Sequence, residues 1–357
     1  MTLLQQWSER VIGAATAGAP LRIRGGGTKD FYGNEPRGEV FDTRGWQGIE
    51  SYEPSELVIT ARAGTPLALI EDTLKSKRQM LAFEPPHFGV EATLGGCVAA
   101  GLAGPRRASA GYAWGGVRDA VLGARLLDGR GRLLKFGGTV IKNVAGYDVS
   151  RLLAGSLGIL GVIVDVSIKV LPMPACELTL CFAVDEQAAL RQLNAWGAQP
   201  LPLSASCWHD GQLHVRLSGA EPAVDVAAVA LGGARGQPTT SGAFWEDLRE
   251  HRNPFFAGAA PLWRFSLPSD AAPLGLPGAQ LIEWGGAVRW LRSDAPVAAL
   301  RSRAAALRGH VTLFRGGSPH HDVFTPLSPA VRAIHRRLKQ QFDPAGIFNS
   351  GRMYADL

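Results

Sequence analysis

Cysteine is scarce and scattered in this 357-residue chain: Cys97, Cys176, Cys181 and Cys207, with no CxxC spacing among them. That excludes a cysteine-held iron–sulfur cluster within the chain. Four dispersed thiols in a protein of this size fit a reducing compartment rather than a disulfide scaffold. The GxxxxGK[ST] spacing of a P-loop is absent. No basic N-terminal region precedes a clean apolar stretch, so no signal peptide is expected. Long hydrophobic runs are also lacking. The most apolar window, residues 152–171, is interrupted by Asp165 and Lys169 and alternates like a strand in its second half. It is expected to be a buried loop and strand, not a membrane span. No basic run is interleaved with aromatics, which argues against nucleic acid as a partner, and the net charge of +6 with a pI near 9.3 suits an anionic ligand or partner. No metal site is expected, and the expected location is cytoplasmic.

Glycine is abundant instead, at 44 residues. Three glycine runs stand out. In LRIRGGGTKDFYG, residues 21–33, a short strand runs into Gly25, Gly26, Gly27 and Thr28. Bare backbone of this kind exposes successive N–H groups and forms a nest able to hold a diphosphate. The second run, TLGGCVAAG, offers Thr93, Leu94, Gly95 and Gly96. The third, AGSLGILGVI, spaces Gly155, Gly158 and Gly161 as GxxGxxG and precedes a strand, which fits neither the spacing nor the setting of a nicotinamide-type Rossmann fingerprint.

Around these runs the pattern predicts an amphipathic helix at the N-terminus, strands over 20–24 and 57–62, and a helix over 66–79 with Pro66 near its start. A long Gly/Ala/Pro-rich loop is predicted over 84–117. Two strands joined at Asp128-Gly129 follow, then a short helix over 148–154 and a strong strand ending at Pro172. Beyond about residue 174, antiparallel strands alternate with helices over 186–197 and 295–308, a small α+β domain with one sheet face covered. A basic helix ends near Asp343-Pro344. No internal repeat is visible.

RGGGT, TLGGCVAAG, KNVAGYDVSRLLAGSLGILGVI and the terminal FDPAGIFNSGRMY together resemble the flavin-linked oxidases with a vanillyl-alcohol-oxidase (PCMH) type of FAD-binding domain. The resemblance covers residues 20–172 and returns at 341–354. It implies an α+β fold: a two-subdomain FAD-binding domain over 1–173 (about 1–55 and 56–173), an antiparallel cap domain over 174–328, and a tail over 329–357 that returns to the first domain. It also implies that Arg24, Gly25, Gly26, Gly27 and Thr28 hold the FAD diphosphate. Thr93, Leu94, Gly95 and Gly96 would line the other side of the cofactor, with Gly155, Ser156, Gly158, Gly161 and Val162 at the adenosine part. Asn349 would stand where the tail nears the flavin ring, followed by Ser350 in place of the usual proline. No histidine precedes His87, and Thr28 and Lys29 occupy the positions where some members attach FAD covalently, so FAD is expected to be held noncovalently.

AGPRRASAG and the compact cap resemble, within that family, the FAD-binding subunits of bacterial glycolate oxidase complexes. This implies oxidation of glycolate, with D-lactate as a second substrate. The partners would be a homologous catalytic FAD subunit and a separate iron–sulfur subunit, and any attachment to the inner face of the membrane would be peripheral and run through them. Two alternatives stay open: a self-sufficient FAD-dependent 2-hydroxy acid oxidase, and a non-catalytic scaffold with a structural flavin. Such oxidation needs a base for the hydroxyl proton and a cation for the carboxylate. The candidates are His87 in EPPHFG, and Arg315 with His320 and His321 in RGGSPHH. His209 and His214 in HDGQLHVRL read as hairpin residues, not a metal site.

Overall fold

Thr2 and Gln5 open the first helix with a reciprocal capping box, and Gly18, at φ 63°, ends it. Between them α1 (Leu3–Ala17) buries Trp7, Val11 and Ala14, spaced to form one stripe, against Leu21, Phe41, Val162 and Val164. The computed structural model describes residues 1–106, 115–139, 148–236, 238–317 and 323–357, with the side chains of 238–240 left out. The chain divides into two units. The first comprises Met1–Leu102, Gly116–Pro172 and Pro319–Leu357, and the second Ala103–Gly115 and Met173–Ser318. The chain thus crosses between units near 102, 115, 172 and 318, where the sequence suggests crossings only near 173 and 328.

In the first unit, β1 (Leu21–Arg24) pairs in parallel with β2 (Glu39–Asp42). There follow β3 (Ile49–Glu53), β4 (Val58–Arg62), α2 (Leu67–Lys75), β5 (Gln79–Leu81) and α3 (Leu94–Ala100). After them come α4 (Val117–Ala120), β6 (Val121–Leu127), β7 (Leu133–Gly137) and β8 (Val162–Pro172). The sheet order is β3-β4-β8-β6-β7, with β5 on the far end of β8. Its central strand, β8, is buried at nine successive positions. That explains the membrane-like hydropathy of this stretch without a span: a strand covered on both faces loses its polar alternation. Asp165 is tolerated within it through an ion pair with Arg125.

Two expectations need correction here. The 84–117 stretch is not loop throughout, because Thr93 caps α3 by accepting from the Gly96 amide. Asp128-Gly129 is not a two-residue turn either. Residues 128–132 form a longer loop, folded around the fully buried Asp128 carboxylate, which accepts the amides of Arg130 and Arg132.

The unit closes with a C-terminal helix, Pro329–Phe342, capped by Ser328. From its last turn Lys339 donates to Asp343 Oδ2 and to the carbonyls of Ile159 and Phe348, all within 2.8 Å. The tail is thereby fastened to the third glycine run.

The second unit holds β9 (Cys176–Ala183), α5 (Glu186–Gly197), β10 (Leu203–His209), β11 (Gln212–Gly219), α6 (Glu221–Leu231), β12 (Ala234–Arg235) and α7 (Pro238–Arg249). It continues with β13 (Leu262–Ser266), β14 (Ala279–Glu283), β15 (Val288–Arg292), α8 (Val297–Ala306) and β16 (His310–Arg315). Its antiparallel sheet runs β12-β9-β11-β10-β14-β15-β13-β16. Each half has the same internal order, fourth-first-third-second strand, and the halves join through β10 and β14. A structural repeat is therefore present that sequence reading missed, because the second half replaces its first crossover helix with a Pro-rich segment over 267–278. Helices α5, α6 and α8 cover one face. The other face carries Arg216, Glu283, Arg264 and Thr312, as the strand registers dictate.

Among the described residues, no helix is long and apolar enough to cross a membrane.

Candidate functional site

A solvent-open cleft lies within the first unit. Its walls bring together residues far apart in sequence: Arg24 to Thr28, then Thr93, Gly95 and Gly96, then Gly158, Gly161 and Asn349. Leu94, Gly155, Ser156 and Val162 do not line it. Leu94 is buried, and Val162 belongs to the core beneath α1.

The three glycine runs contribute differently. Among the described residues, none of the amides of Gly25, Gly26, Gly27 and Thr28 donates to a protein acceptor. Four successive free N–H groups facing a cleft make an anion nest. In the second run the amides are spent inside the protein: Leu94 donates to Thr65, Gly95 to Ala63 and Gly96 to the Thr93 hydroxyl. Gly95 and Gly96 therefore offer close packing at the wall, not donors. A Cβ on Gly95 would stand 2.7 Å from that of Ala63. In the third run Gly158 makes room for the tail, since a Cβ there would stand 2.7 Å from Asn349 Nδ2. Asn349 is itself committed, accepting from the Ile23 amide and donating to the Leu157 carbonyl.

The cleft is cationic, with Arg22, Lys29 and Arg352 joining Arg24 against one carboxylate, Asp30. Arg22 Nη2 and Arg24 Nε both donate to Asp30 Oδ2, at 2.6 and 2.7 Å. Burial holds the Arg352 guanidinium below its usual value, and it donates to the main-chain oxygens of Asp30 and Asn34. Arg22, Asp30 and Arg352 were missed in the sequence. The available signal was RIR on a strand, where alternate residues share a face.

These features fit FAD. Its diphosphate is an elongated dianion, matched by unpaired amides and surplus positive charge, and the glycines leave its path open. Among the lining residues there is no cysteine, histidine or tyrosine. Cys97, beneath the second run, is buried, and its thiol is pushed up to about 12.

The catalytic candidates do not meet in this cleft. His87 Nε2 stands 3.1 Å from Glu71 Oε2, off the lining. Arg315 belongs to the second unit, at the end of β16, where burial and then Arg292 lower its basicity. His320 and His321 lie outside the described residues. His209 and His214 share a sheet face across the Asp210-Gly211 turn, but each packs on its own ring, Phe255 and Phe244.

Comparison with known proteins agrees with this chemistry. The family model described as an FAD binding domain matches residues 5–149. The chain is 49% identical to glycolate oxidase subunit GlcE of Escherichia coli, over 98% of this chain and 97% of that protein. A D-lactate dehydrogenase of Archaeoglobus fulgidus is 35% identical over 43% of this chain and 33% of its own length. Glycolate oxidase subunit GlcD of Bacillus subtilis is 29% identical over 45% and 34% respectively. The solved structure of an alkyldihydroxyacetonephosphate synthase matches in fold, with a TM-score of 0.65 at 16% identity over 97% of this chain and 74% of that one. The chain belongs to the FAD-linked oxidase family, among the proteins similar to the glycolate oxidase subunit GlcE.

Proposed function

We propose that the chain is the noncovalent FAD-binding subunit of a glycolate oxidase complex that converts a small 2-hydroxy acid to the 2-oxo acid. In this reading the electrons pass to an iron–sulfur partner. The observation that carries it is the near full-length similarity to GlcE, joined to a cleft whose charge and bare backbone suit a diphosphate. The similarity of 45% of the chain to part of GlcD supports a homologous flavoprotein partner. The absence of paired cysteines requires the iron–sulfur carrier to be a separate chain.

The flavin, when bound, supplies acceptance of a hydride and onward release of electrons. The protein's own part is to hold it. Gly25 to Thr28 would take the diphosphate on their amides, and Arg22 and Arg24 would balance its charge, while Gly95 and Gly158 let Ala63 and Asn349 pack close behind the cleft wall. Among the described residues the cleft's one carboxylate, Asp30, is engaged by Arg22 and Arg24, which supports a reading in which the hydroxyl proton's acceptor is supplied by the partner flavoprotein.

The test is the purified chain, alone and then with its partner subunits, mixed with glycolate or D-lactate while the flavin absorbance is followed. The reading expects bound FAD that bleaches slowly alone and rapidly in the complex. Rapid bleaching by the chain alone would establish a self-sufficient oxidase instead, and absence of any bound flavin would end the cofactor reading.

A further inference from the structure

The glycine loop between Arg24 and Asp30 is expensive to order, because three consecutive glycines lose more backbone freedom on folding than any other triplet. What holds it is a bridge from its first residue to its last. Arg24 Nε donates to Asp30 Oδ2 at 2.7 Å, and the same oxygen accepts Arg22 Nη2 at 2.6 Å. The Arg24 guanidinium lies over the loop itself: a Cβ on Gly27, which sits at φ 72°, would collide with it. Inside the bridge the Asp30 amide donates to the Gly27 carbonyl at 3.0 Å, and the four unpaired amides lie between the two ends. The Asp30 main-chain oxygen takes a further bond from Arg352 Nη2 at 2.7 Å, so the C-terminal tail is tied to the same residue.

The charge of Asp30 runs against its location. It is the only carboxylate among the cleft's lining residues, and it stands where a dianion is to bind. By Coulomb's law alone its removal would favour an anion. Its geometry argues the reverse. Each arginine carries five N–H donors and gives Asp30 only one, so the carboxylate fixes both guanidinium groups while leaving most of their donors available.

We propose that Asp30 is the positioning residue of the diphosphate loop. Its carboxylate staples the loop into the shape that presents the Gly25–Thr28 amides and stations Arg22 and Arg24 beside them. This rests on the cleft being the FAD site. Stapling removes the ordering cost from the binding step, which is how preorganisation raises affinity.

The experiment titrates FAD, ADP and adenosine into the full-length apoprotein, wild type and Asp30→Asn, and records the melting temperature of each apoprotein. The expected result is that Asp30→Asn weakens FAD and ADP by about tenfold, the size of one charge-assisted hydrogen bond, with adenosine unchanged. Equal or tighter FAD and ADP binding by Asp30→Asn would overturn the proposal, since simple charge balance would then govern the site. A parallel loss for all three ligands would also overturn it, as general loosening of the unit. If Asp30→Asn does not fold, Arg24→Lys decides: it keeps the charge and loses the bridge from Nε. Weakened FAD binding then supports stapling, and unchanged binding refutes it. Failure of the wild type to bind FAD or ADP is a separate result. It would end the cofactor reading and this proposal with it.

Discussion

The Asn349 side chain accepts the amide proton of Ile23 at 2.7 Å, a contact between residues 326 positions apart in sequence. Through Nδ2 it also donates to the Leu157 carbonyl at 2.6 Å. One buried amide thus ties β1, the third glycine run and the C-terminal tail at the wall of the cleft. Its backbone sits at φ 41°, a region asparagine tolerates better than most residues. Asn349→Ala would leave a donor and an acceptor unmatched, an expected loss of about 3 kcal/mol. Denaturant unfolding of the apoprotein checks this, and an unchanged midpoint would show that the tail is held elsewhere.

Gly26 has no room for a side chain. A Cβ there would collide with the Glu91 carbonyl, which is backbone and cannot swing aside. Gly26→Ala is therefore expected to displace the loop carrying the free amides and to weaken FAD binding by about a hundredfold, an estimate equivalent to nearly 3 kcal/mol. Gly13→Ala is the control, since its Cβ would meet nothing within 4 Å. Fluorescence titration of both variants with FAD tests the contrast, and equal affinities would remove the loop from the site.

The flavin should come away without chemistry on the protein. No lining residue of the cleft is a histidine, cysteine or tyrosine, and the nearby Cys97 thiol stays protonated at neutral pH. Acid precipitation of the yellow protein is expected to leave a colourless pellet and a yellow supernatant. A coloured pellet would require a covalent link and redraw the site.

The sequence disclosed what depends on local chemistry. The Asp210-Gly211 hairpin is such a case, because its two positive φ values, 48° and 74°, are what that dipeptide favours. The helix Glu186–Gly197 is another, with Asp185 as its cap and apolar spacing behind it. The glycine runs were visible as bare backbone, but not the division of labour between them. Whether an amide is free or spent depends on carbonyls such as those of Ala63 and Thr65, some thirty residues upstream of the second run. The Arg22–Asp30–Arg24 bridge was hidden for a related reason: it pairs side chains across a loop whose shape the triplet GGG leaves undetermined. The duplicated half-sheets of the second unit are seen in the strand order, which is set by pairings between segments distant in sequence.

Glu283 makes the second unit's stability depend on pH. The carboxyl is buried on the sheet face opposite α5, α6 and α8, and it accepts from Trp290 Nε1 at 2.6 Å. Burial raises its pKa to about 7, against the pull of the Trp290 bond and of Arg264. The unfolded chain releases this proton near the ordinary carboxylate value, about 4.3. Between those two values the folded state binds the proton more tightly, so the contribution is fully present below the unfolded value and is lost as pH rises through about 7. The loss across the window is about 4 kcal/mol. Glu283→Gln keeps an acceptor for the indole and has nothing to ionise. Its melting temperature is therefore expected to match the wild type in mild acid and to exceed it by several degrees in mild alkali, above the raised value. Thermal melts of the two proteins across that range measure the difference directly. A gap that stays constant with pH would mean that Glu283 ionises in the fold as it does in water.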